Sequence, residues 1–353
     1  MRHINVGLFV PHIGCPHRCS FCNQRAISGA SRPLTPQEVT AACERAAATM
    51  CTPPQNAEIA FFGGSFTAVD PAYQTALLQA AHPFVKAGVF GGIRISTRPD
   101  AIDSGVLDRL ARYGVTAVEL GAQSMNDRVL ALNGRGHVAE DVRRASALIH
   151  TYDFSLGLQM MTGLPGSDPE DDRRTALELC ALGPDSMRIY PTIVVEGTEL
   201  AGWYRTGHYR PLSLKEAVEQ GAQLLRLVEW ESGIPVIRMG LHAGGDVQGQ
   251  YVAGPFHPAF RELCEGRLYR QMALERLSEV LPQGGTARLR VAKGAVSKMT
   301  GQKRENIHWL AQRGYAVTVA GDNDVPVRCV RIDIDTKGRT TQDDTEIAGN
   351  PWV

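Results

Sequence analysis

The sequence predicts an α/β fold with a parallel sheet, on three observations. Short β-branched runs alternate with longer helical patterns from residue 6 to about 240, the breaks fall on Gly, Pro, Asp and Ser, and helix-start chemistry recurs after the strands. Strands are expected over Val6 to Ile13, Glu58 to Phe62, Ile93 to Thr97, Ala117 to Leu120, Leu156 to Met161 and Met187 to Val194. Thr35-Pro36-Gln37-Glu38 and Ser213-Leu214-Lys215-Glu216 read as capping boxes, in which hydroxyl and carboxylate each satisfy a backbone N–H of the helix start. Asp70-Pro71 and Asp168-Pro169 place a side-chain acceptor before a proline at the first helical position. Repeated βα units need right-handed crossovers, so the sheet is parallel and either opens into a doubly wound layer or curls into a barrel. Periodicity alone leaves both open.

The pattern assigns residues 1–240 to this sheet. Residues 241–282 read as an extension, loop-rich around Gly244-Gly245 and Gly254-Pro255 and then helical from about Phe260 to Val280. Residues 283–353 follow the linker-like Pro282-Gln283-Gly284-Gly285 as a small basic α+β module. Its expected elements are a strand over Ala287 to Val291, a helix over Gly301 to Gln312, and strands over Ala316 to Val319 and Val327 to Ile334.

Composition narrows the classes. With 353 residues, 43% hydrophobic and 21% charged, the chain can bury a large core, which excludes disorder and coiled coil. Thirty-seven basic residues balance 37 acidic ones, so no global field advertises nucleic acid and partners must be argued locally. The apolar stretch Val6 to Val10 is interrupted by Pro11 and His12, far short of the ~20 residues of a membrane span. No membrane partner is expected, and the chain reads as cytoplasmic, where thiols stay reduced. Its eight cysteines are then ligands or buried apolar residues rather than a disulfide framework. Cys43, Cys51, Cys180, Cys264 and Cys329 stand singly and are expected to be buried.

Cys15, Cys19 and Cys22 differ from these: they form C-x3-C-x2-C immediately after the first strand. A loop this tight can converge three thiolates on one centre, and soft thiolates select iron–sulfur clusters or zinc. Zinc in a structural site wants four ligands, which His12 or His17 can complete. Three-cysteine ligation of a 4Fe-4S cluster instead leaves one iron open to a substrate or cosubstrate. Further along, Gly63-Gly64-Ser65 ends the second strand, Thr97-Arg98-Pro99-Asp100 the third and Gly121-Ala122-Gln123-Ser124 the fourth, while Gln159 lies on the fifth. In a parallel barrel all of these tips face one mouth. Glycines let a backbone approach a ligand, Gln and Ser can bond sugar hydroxyls, and Arg98 can meet a carboxylate or pair with Asp100.

The cysteine loop, with Phe21 before its last cysteine, resembles that of the radical S-adenosylmethionine (SAM) superfamily. The resemblance implies a partial (β/α)6 TIM-like barrel, with Cys15, Cys19 and Cys22 on a 4Fe-4S cluster. It further implies Gly63 and Gly64 at the methionine amino group, with Ser65 in place of the family's acid, Gln123 and Ser124 at the ribose, and Gln159 on the adenine-contacting strand. In that family an electron from the cluster cleaves SAM to a 5'-deoxyadenosyl radical, so a low-potential donor such as flavodoxin or ferredoxin is implied. Phe62 to Thr67, Thr97 to Asp100, Val118 to Ser124, Arg135-Gly136-His137 and Ile189-Tyr190-Pro191-Thr192 together resemble the catalytic subunit of Elongator, which implies tRNA modification. The module after Pro282 is too short for an acetyl-coenzyme A fold, so acetyl transfer is not carried over.

Arg288, Arg290, Lys293, Lys298, Lys303, Arg304 and Arg313 crowd a stretch holding a single acid, Glu305, which is an electrostatic footprint for phosphates. Gly301-Gln302-Lys303-Arg304 resembles the GXXG loop of a KH domain, with Arg304 at the second glycine position. A solvated basic helix packed through Ile307 and Leu310 explains the same residues. Two other readings of the whole chain stay open: a radical enzyme acting on a small molecule, porphyrinogen oxidase-like, and a zinc-stapled, non-catalytic RNA-binding adaptor. His242, Arg188 and Tyr190 are further candidates for the substrate end of the cavity, with core packing as their alternative.

Overall fold

Local cap chemistry starts the helices where the sequence places them. The Glu38 N–H donates to the Thr35 hydroxyl at 3.3 Å while the Thr35 N–H donates to the Glu38 carboxylate at 2.9 Å. The same box closes between Ser213 and Glu216, Asp70 accepts from the N–H groups of Ala72 and Tyr73, and Asp168 accepts from that of Asp171. These starts belong to helices α1 (Pro36–Thr49), α2 (Pro71–Lys86), α6 (Pro169–Ala181) and α8 (Leu214–Leu225). Between them lie α3 (Ser104–Arg112), α4 (Asp127–Leu132), α5 (Ala139–Ile149) and α7 (Glu199–Arg205). The computed structural model describes residues 4–10, 19–23, 32–63, 65–241 and 247–334, without the side chains of 247 and 248.

Seven parallel strands form one sheet that curls into a half-barrel. They are β1 (Ile4–Val10), β2 (Ala57–Gly63), β3 (Gly92–Thr97), β4 (Val115–Gln123), β5 (Ser155–Thr162), β6 (Ser186–Pro191) and β8 (Val236–Met239), in that spatial order. β7 (Val194–Val195) pairs instead with β9 (Tyr251–Ala253), which follows the short helix α9 (Val247–Gln250), in a short antiparallel ribbon. The barrel expected on resemblance is present, but with a seventh strand where six were expected. β8 is short and places Arg238 and the half-exposed Ile237 among its residues, so it carries little apolar signal. The sixth strand stops at Pro191, short of the expected Val194, because the chain breaks there before β7.

Strand side chains divide sharply by face. Ile59, Phe61, Ile93, Ile95, Val118, Leu120, Leu156, Leu158, Met187 and Ile189 are buried, which places the apolar core on one face. The alternate positions carry Glu58, Arg94, Glu119, Gln159 and Arg188, linked in a ladder across five strands. Arg94 donates to Glu58 at 2.7 Å and to Glu119 at 3.2 Å, Arg188 Nη2 donates to Glu119 at 2.7 Å, and Gln159 donates to Glu119 at 2.7 Å. Gly157 makes room for this: a Cβ there would lie 2.7 Å from Glu119 Cγ. Three donating side chains, Arg94, Gln159 and Arg188, compensate the burial of the Glu119 carboxylate.

The chain divides into two compact units, one of residues 1–217 with 232–258 and the other of 218–231 with 259–353. This differs from breaks at 240 and 282, because helix α10 (Phe260–Val280) shares a core with the C-terminal strands. That core joins Tyr269, Ala273 and Leu277 to Leu289, Val291, Met299, Leu310 and Val317. β10 (Gly285–Ala292) lies between β11 (Tyr315–Asp322), parallel to it, and the antiparallel β12 (Arg331–Ile334). The helix expected over Gly301 to Gln312 is the shorter α12 (Glu305–Ala311), and a further helix, α11 (Val296–Thr300), precedes it across a tight loop. Asn306 locks that loop, its amide donating to the carbonyls of Gly266, Lys298 and Met299 at 2.9, 3.1 and 3.1 Å. The last strand is shorter than expected and begins at Arg331.

Of the five single cysteines, Cys43 and Cys264 are buried and Cys180 is half-buried, but Cys51 and Cys329 are exposed, against expectation. Burial pushes the Cys43 thiol up to about 11, so it stays protonated and inert. No described helix is long and apolar enough to cross a membrane.

Replacing Glu119 by Ala removes the shared acceptor of two partly buried guanidinium groups, those of Arg94 and Arg188. The variant is expected to lose about 3–5 kcal/mol of stability, read as the shift in the urea unfolding midpoint.

Candidate active site at the carboxyl ends of the strands

In a parallel sheet every strand delivers its next loop to the same end, so residues distant in sequence converge there. β2 ends on Gly63, whose φ of +102° and close approach to β1 both require glycine, since a Cβ would lie 2.5 Å from the Val10 carbonyl oxygen. Ser65 follows in the left-handed region with φ 53°, its N–H donating to the Gly63 carbonyl at 2.8 Å. Gly64 and Cys15 lie outside the described residues, as does His242. The next segment is braced by Thr67, whose hydroxyl lies 2.5 Å from that of Thr97 at the end of β3.

Cys19 and Cys22 sit on a turn closed by the Cys22 N–H donating to the Cys19 carbonyl at 3.1 Å. The turn is seated on two later segments of the barrel. Ser20 donates to Asn133 twice, from its N–H to the carbonyl at 3.1 Å and from its hydroxyl to the side-chain oxygen at 2.7 Å. Asn133 is fully buried and is itself oriented by donating to the carbonyls of Val129 and Pro165. The Leu200 N–H donates to the Ser20 carbonyl at 2.8 Å, and Asn23 donates to that of Glu196 at 2.8 Å. Arg135 Nη1 donates to the Cys19 sulfur at 3.3 Å.

The other expected site residues separate into two groups. Gln123 ends β4 in the left-handed region with φ 67°, and its side-chain Oε1 is buried with no partner among the described residues. The hydroxyls of Ser96 and Thr192, at β3 and just beyond β6, are buried and unpartnered in the same way. Such orphans are costly unless something polar fills the space between them. In contrast, Arg98 is buried and forks onto Asp100 at 2.9 and 3.0 Å while donating to the Arg135 carbonyl at 2.5 Å. Ser124 accepts from the Asn126 N–H at 3.1 Å beside Thr175, and Gln159 is spent on Glu119. Arg188 likewise belongs to the ladder, with its guanidinium 5.5 Å from the Phe62 ring centroid.

Sequence reasoning gave no role to Ser20 or Asn133, and none beyond the motif to Arg135 and His137. His137 donates to the Ala122 carbonyl at 3.2 Å, its other ring nitrogen buried without a partner among the described residues. Burial first, then the neighbouring Arg135 charge, lowers its pKa to about 4, so the ring is neutral at physiological pH.

The turn bearing Cys19 and Cys22 is thus clamped at the carboxyl end of a curled parallel sheet, the same end at which buried polar atoms have no partner among the described residues. Residues 9–179 match the family model described as Radical SAM superfamily, and residues 184–270 that described as Radical_SAM C-terminal domain. The chain belongs to the radical SAM superfamily of enzymes, whose members bind a 4Fe-4S cluster and SAM. Within it, the chain resembles the radical SAM portion of Elongator's catalytic subunit. A tRNA uridine(34) acetyltransferase of Dehalococcoides mccartyi is 31% identical over 239 residues, 58% of this chain and 52% of that protein. Human Elongator complex protein 3 is 34% identical over 140 residues, 39% of this chain and 26% of that protein. The solved structure of archaeal Methanocaldococcus infernus Elp3, lacking an N-terminal segment, has the same fold with a TM-score of 0.59 at 24% identity, covering 78% of this chain and 64% of that one. The chain thus spans about half the length of the D. mccartyi relative and about a quarter of the human one.

The His137 shift predicts a pH dependence. A folded-state value below the ordinary imidazole one means the unfolded chain takes up the proton first, so stability is full above about pH 6.5 and falls toward pH 4. The loss is on the order of 3 kcal/mol. Replacing His137 by Gln should remove that part of the acid sensitivity from urea unfolding curves collected across this window.

Proposed function

We propose that this protein reductively cleaves SAM at a 4Fe-4S cluster to initiate modification of tRNA. Cys15, Cys19 and Cys22 hold the cluster. Gly63, Gly64 and Ser65 receive the methionine amino group, and Gln123 takes a ribose hydroxyl through its Oε1, which has no partner among the described residues. Arg98, Ser124 and Gln159 act one layer back, since their polar atoms are already engaged in bracing Arg135, the turn after β4 and Glu119. When bound and reduced, the cluster supplies the electron that releases a 5'-deoxyadenosyl radical, for which a flavodoxin or ferredoxin is the donor. The protein's own contribution is to seat the ligand loop, line the mouth with polar atoms and exclude water from the buried sulfur of Cys19.

The observation that carries this reading is that the Cys19 turn and the buried atoms of Ser96, Gln123 and Thr192, which have no partner among the described residues, lie at the same end of the sheet. For the substrate, support comes from relatives named for tRNA uridine(34) modification. The basic module offers a place for RNA. Lys303 and Arg304 are exposed, stand consecutively in the left-handed region with φ 50° and 62°, and have no ion-pair partner among the described residues. The protein acts in the cytoplasm, where the thiols and tRNA are both at hand.

Two experiments test the reading. After anaerobic reconstitution, 5'-deoxyadenosine should form from SAM and dithionite and increase with bulk tRNA; Cys19→Ala should abolish cluster and product together. Product retained in that variant would remove the mechanism, and indifference to tRNA would favour a small-molecule substrate. Reversing Lys303 and Arg304 to Glu should weaken tRNA binding at least tenfold at about 100 mM salt and flatten the salt slope by about two, with tRNA-independent cleavage intact. An unchanged slope would exclude this loop from RNA contact.

A further inference from the structure

Arg135 is a buried cation without a carboxylate. Its residue is 8% exposed, and no described Asp or Glu forms an ion pair with it. Its guanidinium is nevertheless held by two contacts and its backbone by a third. Nη2 donates to the Gly121 carbonyl at 2.6 Å, the Arg135 carbonyl accepts from Arg98 at 2.5 Å, and Nη1 donates to the Cys19 sulfur at 3.3 Å. Nε is buried with no partner among the described residues. Burying a lone guanidinium costs several kcal/mol unless an anion stands beside it. The neutral ring of His137 supplies none. The sulfur of Cys19, as a thiolate of an anionic cluster, is the anion within reach.

We infer that Arg135 is a positioning residue that sets the reduction potential of the cluster through the Cys19 thiolate. The inference rests on the cluster reading above. A 4Fe-4S core with thiolate ligands becomes more negative by one charge on reduction, and the added electron density is shared by its sulfurs. A fixed positive charge and an N–H donor at one of those sulfurs therefore stabilise the reduced form more than the oxidised form and raise the potential. The Asp100–Arg98 fork braces the backbone of Arg135, so the guanidinium keeps its place when the electron arrives, which is how outer contacts tune a metal site.

The test compares wild type, Arg135→Lys and Arg135→Gln after anaerobic reconstitution. Iron and sulfide are assayed first, and the midpoint potential is then read by redox titration of the reduced-cluster EPR signal. Arg135→Gln should need a more reducing potential, with at least a tenfold lower reduced-to-oxidised ratio at a fixed potential, ~59 mV for one electron. Arg135→Lys, which keeps the charge but not the fixed fork, should fall between. Should the Gln variant retain no cluster, the Lys variant decides, a negative shift supporting the assignment. Equal potentials in every cluster-bearing variant would overturn the role of Arg135 while leaving the cluster intact. A wild-type protein without iron and sulfide would instead overturn the cluster reading itself.

Discussion

A guanidinium removed from water must find negative charge, and in this barrel the requirement falls on Arg135. Arg135 is one of the contacts that hold the cysteine turn, beside those of Asn133, Glu196 and Leu200. The segment after β4 carries Asn133 and Arg135 close in sequence, so one short stretch both clamps Ser20 and touches the Cys19 sulfur. Behind it, Arg98 and Asp100 from the end of β3 form a rigid brace whose geometry is fixed by two parallel hydrogen bonds. A loop rich in cysteine has no structure of its own to impose. Its placement is borrowed from residues more than a hundred positions later in the chain, and that dependence connects the fold to the chemistry.

The concave face of the sheet is divided along the strands. Further back, Glu58, Arg94, Glu119, Gln159 and Arg188 satisfy one another in a charge ladder that spans β2 to β6. Toward the carboxyl ends, on β3 and β4 and just past β6, the polar atoms of Ser96, Gln123 and Thr192 have no protein partner among the described residues. A saturated layer beneath an unsatisfied one is what a binding cavity requires: the first holds the walls in register, and the second leaves hydrogen-bonding capacity for a polar guest. The left-handed backbone at Ser65 and Gln123 lies at this same rim, strain that a ligand-binding edge can retain because the flanking strands hold it.

Sequence reading succeeded where the determining chemistry is local. Capping boxes and Asp-Pro starts were legible because donor and acceptor lie within three residues, and the apolar runs of β2 to β5 were legible because one face of each is buried almost completely. It was silent where partners are distant. The sequence does not show that the Gln159 amide is held by Glu119, 40 positions away, or that Ser124 lies beside Thr175, 51 positions away. Arg98 was ambiguous for a different reason, since its partner Asp100 is two residues on and the sequence could not tell an exposed pair from a buried brace. β8 was missed because four residues with an arginine among them carry too little apolar signal, and α11 because no cap announces it. The cysteine motif is a matter of spacing in the sequence, with Cys15 outside the described residues, whereas the arginine beside the Cys19 sulfur became visible only once the chain was folded.

The central claim is that one corner of a three-cysteine cluster is left for SAM. Pulsed electron–nuclear resonance on the reduced protein, with SAM isotopically labelled in its amino nitrogen and carboxylate oxygens, reads that corner directly. Hyperfine coupling of both labels to the cluster is the predicted result. Absence of both couplings in protein carrying its full iron and sulfide would contradict it.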